Sequence, residues 1–198
     1  LELEEILQAI CLNNDYFDGP SVYGHLMNTG TIARAIAPQV GGNPCVCHLG
    51  GLLHDVGSIS NGRDKHHIVG AGMAVRILKY IGVNDELLID AVRRCVLYHR
   101  SSTDVGELTI EEKVVRTADA LSHYWRVDHL WKEGTRKAMT PEETKDWLTK
   151  KFKKDWGKII PEIQSPAGQQ KPYGPSAKEL YIQAMARLDN LYAGANAL

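Results

Sequence analysis

Three capping boxes constrain this chain more than any other feature: Thr109-Ile-Glu-Glu112, Thr140-Pro-Glu-Glu143 and Ser176-Ala-Lys-Glu179. In each, a hydroxyl can accept from the backbone N–H three residues on, while the Glu carboxylate reaches back to the first residue, so each marks a helix start. Apolar residues at helical spacing follow: Val114, Val115, Ala118 and Leu121 after the first box, Leu180, Ala184, Leu188 and Leu191 after the last. Asn43-Pro44 reads as an N-cap with Pro at the first helical position, with Gly57 as that helix's stop, and Asn84-Asp85-Glu86 opens another helix. No segment alternates convincingly like a strand. The fold class is therefore all-α, with about seven or eight main helices by these start and stop signals. Pro161 to Ser176, with its four prolines and two glycines, cannot be helical throughout and sets the last helix apart.

A chain of 198 residues can bury a proper core as one domain. Its net charge of −1 offers no basic footprint for a nucleic-acid duplex or an anionic membrane. No apolar run approaches the roughly 18 residues of a membrane span. The opening "LELEEILQAICL" lacks the basic start and cleavage site of a secretory signal. Four scattered cysteines do not make a disulfide framework, so reduced thiols and a cytoplasmic location are expected. Cys45 and Cys47 would point about 200° apart on a helix and cannot share a metal there, so they read as small buried apolar residues.

Histidine and aspartate recur at apparent helix ends and inward faces: His25, His54-Asp55, His66-His67, His99 and Asp119. Asp119 lies at the edge of the apolar face after Thr109, and a lone buried carboxylate requires a cation or strong donors. His54 and Asp55 follow Leu49, Leu52 and Leu53, and Gly50 and Gly51 would let a neighbouring helix come close. Neutral imidazoles with carboxylates suit Fe, Mn, Co or Zn better than the oxygen-seeking Mg. Such an ion lowers the pKa of a bound water and polarises a substrate oxygen. Arg63, Lys65 and Arg100 beside this set read either as surface charge or as phosphate contacts. His48, His123 and His129 read as ordinary solvated or hydrogen-bonded histidines. The aromatic residues Tyr124, Trp125, Trp131, Trp147 and Trp156 read as packing for the C-terminal helices.

Four pieces in order resemble the HD-domain metal-dependent phosphohydrolase superfamily: His25, the doublet in "LGGLLHDVGS", the helix start "HHIVGAGMAVRIL", and Asp119 in "VVRTADALSHY". The likeness covers roughly residues 20–125. It implies one HD-type domain over 1–198, with a metal-site bundle at about 20–125 and a helical extension at about 126–198. It further implies a dinuclear centre of the H…HD…H…H…D kind. There His25, His54, Asp55 and Asp119 would hold one divalent ion, His66 and His99 the second, and Asp55 would bridge. His66 and His99 could instead line a one-metal pocket. His66 is preferred to His67 because it stands four residues before Gly70, as in the family motif; His67 would then join Arg63, Lys65 and Arg100 as substrate contacts. The doublet His54-Asp55 would be the catalytic centre, with a hydroxide at Asp55 attacking phosphorus in a small phosphorylated molecule, such as a nucleotide.

The chain departs from the family in two places. Gly57-Ser58 stands where some branches have Gly-Lys, and "RSSTDVGEL" follows His99 where the cyclic-dinucleotide branch carries Gly-Tyr-Pro, which argues against that branch's activity. The same ligand order occurs in the superfamily's di-iron oxygenases, and a non-catalytic metal-stabilised sensor would also use it. Purified metal content separates these alternatives. The six residues are expected to converge in one cleft.

Overall fold

The computed structural model describes residues 2–13, 19–62, 64–100, 106–164 and 175–196, and among them it is helical with no strand. The helices are α1 (Leu3–Leu12), α2 (Gly19–Ile36), α3 (Pro44–Leu53), α4 (Val56–Asn61), α5 (His66–Tyr80), α6 (Glu86–Tyr98), α7 (Ile110–Tyr124), α8 (Val127–Arg136), α9 (Pro141–Trp156), α10 (Pro161–Gln164) and α11 (Ala177–Ala195). Long helices are slightly more numerous than the sequence signals announce; α1, for one, begins at Glu2, outside the Ser, Thr, Asp or Asn kind of cap.

The boxes form as read. The Thr109 N–H donates to Glu112 Oε2 at 3.0 Å, and the Glu112 N–H returns to Thr109 Oγ1 at 3.3 Å. Thr140 and Ser176 repeat the exchange with Glu143 and Glu179. Asn43 Oδ1 accepts from the N–H groups of Cys45 and Val46 at the head of α3. Asp85, not Asn84, caps α6, its Oδ1 accepting from Leu87 and Leu88.

The chain divides into two compact units, residues 1–119 and 120–198, with the boundary inside α7. In the first, α2 packs along α3, α5 lies against α4 and α6, and α3 contacts α6. Leu26, Leu53, Val56, Leu78, Val92 and Val115 are fully buried in its core. Small residues let these backbones meet. A side chain at Gly51 would stand 2.7 Å from Gly30 Cα, and one at Gly50 would stand 2.8 Å from Cys95 Cβ.

Gly57 corrects the expectation that it stops α3. That helix ends at Leu53, and Gly57 lies inside α4, where it is needed for a different reason. A Cβ there would meet the His66 carbonyl and stand 2.5 Å from Gly70 N. The backbones of α4 and α5 touch, and neither can yield like the tip of a flexible side chain. Gly57→Ala should therefore destabilise the fold by about 1–3 kcal/mol through overpacking. Urea unfolding checks this, and a midpoint equal to wild type would contradict the backbone contact.

In the second unit α8 packs with α9 and α11, and α9 with α11. Tyr124 stacks edge-on against Phe152 and Tyr181, at 5.5 and 5.6 Å between ring centroids, and Trp156 contacts Tyr181. Tyr124 and Trp156 thus pack as expected, Trp131 and Trp147 are half-buried, the latter under the Lys137 ammonium, and Trp125 is exposed. His123 bonds the buried Asp155 carboxylate at 3.0 Å, and His129 is exposed. All four cysteines are free; Cys47 is buried, but Cys45, two positions earlier on α3, faces outward, correcting the reading of both as buried. Of the proline-rich stretch, 161–164 forms α10, and 165–174 lies outside the described residues. No helix among the described residues is long and apolar enough to cross a membrane.

Candidate metal centre

The helices from α2 to α7 and the turns between them bring six side chains together. His25 projects from the middle of α2. His54 and Asp55 occupy the tight turn between α3 and α4, which Ser58 braces by donating its hydroxyl to the Asp55 carbonyl at 2.7 Å. His66 opens α5, His99 follows the last residue of α6, and Asp119 lies in α7.

These residues form two donor triads. In one, His25 Nε2 stands 3.1 Å from His54 Nε2, and Asp119 Oδ1 lies 3.4 and 3.6 Å from these two nitrogens. In the other, Asp55 Oδ1 lies 3.1 Å from His66 Nε2 and 3.2 Å from His99 Nε2, which are themselves 3.1 Å apart. Asp55 joins the triads, because its second oxygen, Oδ2, faces His54 Nε2 at 3.8 Å. All but Asp55 are buried; its side chain keeps 29% of its surface open to solvent, so water can reach its carboxylate.

The donor set fits divalent metal ions. His54 Nδ1 lies 2.8 Å from the Gly51 carbonyl, and His99 Nδ1 lies 2.6 Å from that of Val96. A carbonyl only accepts, so both Nδ1 atoms carry a proton, which leaves Nε2 as the ring atom that would ligate an ion. Those Nε2 atoms face the Nε2 atoms of His25 and His66. Ligands about 2.0–2.2 Å from one ion stand roughly 3.0–3.5 Å apart when adjacent, the spacing of these triads.

Titration follows the same pattern. Burial works against charge on His54, but the Asp55 and Asp119 carboxylates outweigh it and raise its pKa to about 9. Withdrawal from water opposes charge on Asp55, yet His54, His66 and His99 hold its carboxyl well below the ordinary carboxylate range. A proton on His54 thus takes the place in which a cation would sit.

Further residues hold this frame. Glu112, almost wholly buried, accepts from Arg94 Nε at 2.8 Å, and the Arg94 guanidinium lies over the Tyr98 ring. Arg116 donates to the carbonyls of Tyr98 and Arg100. Glu112 was read from the sequence only as part of a capping box, and Arg94, Tyr98 and Arg116 were not singled out. The available signal was a cation three residues before Asp119, on the same side of α7. Among the expected substrate contacts, Lys65 is exposed in the left-handed region at φ 50°, and Arg100 is half-buried. His67 presents a buried Nδ1 with no hydrogen-bond partner; burial, then the nearby Arg100 charge, lowers its pKa. Arg63 lies outside the described residues.

Among the described residues, the helical frame thus carries two neighbouring His/Asp triads, each of which could hold a metal ion, the mark of a class of helical metal-site domain. The HD-domain family matches residues 22–124, just over half of the chain, and the chain belongs to that family. It is 31% identical over 122 residues to Ribonuclease Y of Rubrobacter xylanophilus, covering 61% of this chain and 21% of that protein. Against Ribonuclease Y of Thermoanaerobacter pseudethanolicus it is 28% identical over 123 residues, covering 61% and 22%. The chain thus spans about a fifth of the length of these curated relatives. Among solved structures it is similar to the HD domain of the phosphodiesterase PgpH of L. monocytogenes in complex with cyclic-di-AMP, with a TM-score of 0.42 and 14% identity, over 94% of this chain and 97% of that one.

Proposed function

We propose that this chain is a metal-dependent phosphohydrolase that cleaves a phosphate ester, of the nucleotide or RNA class, at a dinuclear centre. The observation that carries the reading is the position of Asp55, with one oxygen toward His66 and His99 and the other toward His54. A carboxylate so placed is suited to bridge two cations. His25, His54 and Asp119 would complete one site, and His66 and His99 the other. Bound there, divalent ions would acidify a water and neutralise charge developing on the phosphoryl oxygens. The chain's own contributions follow from its geometry. Asp55 and Asp119 supply the anionic charge, and the carbonyls of Gly51 and Val96 orient His54 and His99. A phosphate would approach from the partly open side of Asp55. Arg100, Lys65 and His67, with Arg63 outside the described residues, are the proposed contacts for its oxygens. The names of the curated relatives bring phosphodiester bonds of RNA into the substrate class.

The test is elemental analysis of purified protein, followed by a panel of phosphomonoesters, nucleotides, dinucleotides and short RNA with Mn, Co, Zn, Fe and Mg in turn. Metal-dependent release of phosphate or nucleotide supports the proposal. Two irons with oxygen consumption and no ester hydrolysis overturn it in favour of an oxygenase, and metal without turnover in favour of a sensor.

The raised pKa of His54 adds a calorimetric prediction. At pH 7 the metal-free site holds a proton on His54, whose pKa of about 9 lies above the ordinary 6.5. A metal at Nε2 must displace that proton, so Mn²⁺ binding at pH 7 should release about one proton per chain, falling toward none well above pH 9. Titrations in buffers of different ionisation enthalpy give the count. Separately, because this folded pKa is raised, the metal-free protein's stability contribution from His54 is full below about 6.5 and is lost as pH rises through about 9.

A further inference from the structure

We infer that Arg116 is a positioning residue for the second metal site, acting through the backbone on either side of His99. Its Nε donates to the Tyr98 carbonyl at 2.5 Å and its Nη2 to the Arg100 carbonyl at 2.8 Å, so one rigid guanidinium spans the residue between. Those carbonyls lie at the C-terminal end of α6, where the last carbonyls have no donor within the helix. His99 itself is buried, its Nδ1 held by the Val96 carbonyl at 2.6 Å and its Nε2 facing Asp55 and His66. Its ring is thus fixed from two directions: Val96 sets the tilt of the imidazole, and Arg116 sets the backbone that carries it. Arg116 touches none of the six donors at the centre in these contacts.

The same helix delivers both triads. Asp119, three residues beyond Arg116 on α7, enters the first triad, while Arg116 backs the second. Glu112, one turn earlier, pairs with Arg94, so α6 is braced against α7 at two levels. Burial lowers the Arg116 pKa, with Glu112 opposing, and the group stays cationic at any working pH. Lysine cannot replace it fully, because a single ammonium lacks the planar fork that reaches two carbonyls at once.

The inference rests on the two-metal reading and is tested beside it. Mn²⁺ binding is measured by calorimetry and by competition with a chelator for wild type, Arg116→Ala and Arg116→Lys, with helicity followed by circular dichroism. Wild type should show two classes of site. In Arg116→Ala one class should weaken by ~10–100-fold, the usual cost of removing a group that orients a ligand, while the other is unchanged. Arg116→Lys should fall between, and it serves as the test if the Ala variant does not fold. The class that weakens must be the one abolished by His99→Ala. A wild type with a single site overturns the two-metal reading and this inference with it. Two wild-type sites that weaken together, or that stay unchanged in folded Arg116→Lys and Arg116→Ala, overturn the role of Arg116 alone.

Discussion

Asp55→Ala should hold close to no metal, against about two ions per chain in the wild type, and should lose turnover altogether. The expectation follows from where its oxygens lie. Oδ1 sits within 3.2 Å of both His66 and His99, and Oδ2 faces His54. The substitution removes the only carboxylate of the second triad and the link to the first. What remains is a cluster of imidazoles with one anion, Asp119, too little charge to hold two neighbouring dications against their mutual repulsion. Asp55→Asn separates charge from shape: it keeps the volume and should still lose both ions. Elemental analysis at one fixed pH reads the outcome, because protons compete for the same donors. An Asp55→Ala protein that keeps even one stoichiometric metal would show that Asp55 is not shared.

His66→Ala and His99→Ala should each bind about one ion where the wild type binds about two. Both take a neutral donor from the same triad, whereas His25, His54 and Asp119 are untouched. The first site therefore retains His25, His54, Asp119 and the Asp55 bridge, enough for a transition ion whose remaining positions are filled by water. Turnover should fall by roughly 10²–10³-fold, the cost of losing one electrostatic stabiliser of a developing charge. The two variants should match closely, since either loss opens the same site. A wild-type count of one, unchanged in both variants, would return the protein to the one-metal group and remove the di-iron oxygenase from contention.

The helices were legible because their starts are local. Thr109, Thr140, Ser176 and Asn43 each satisfy backbone donors within three residues, so their effect can be read from a short window. The grouping of six side chains was legible for another reason: the order of His25, His54-Asp55, His66, His99 and Asp119 matched a known pattern. Gly57 was misread because glycine has two roles. It ends helices through its backbone freedom, and it admits a neighbouring backbone by lacking a Cβ. Only the position of α5 decides which applies. Arg116 escaped notice because its partners are main-chain carbonyls 16 and 18 residues away, and a carbonyl leaves no mark in a sequence. Cys45 and Cys47 were separated correctly by helical geometry, but which of them faces the core depends on packing that no local signal records.

The contact between Gly57 and Gly70 reaches beyond packing. Gly57 stands two residues after Asp55, and its backbone lies against the carbonyl of His66 and the amide of Gly70. The backbones that carry Asp55 and His66 are therefore held together directly, through main chain and not through side chains. An ion bound between these two residues would meet a spacing set by packing, unlike the ions of small domains that assemble only around their metal. Discrimination between ions then falls to radius, ligand preference and supply. A cation that needs a narrower cage could not obtain it by drawing α4 closer to α5, because the two backbones are already in contact there.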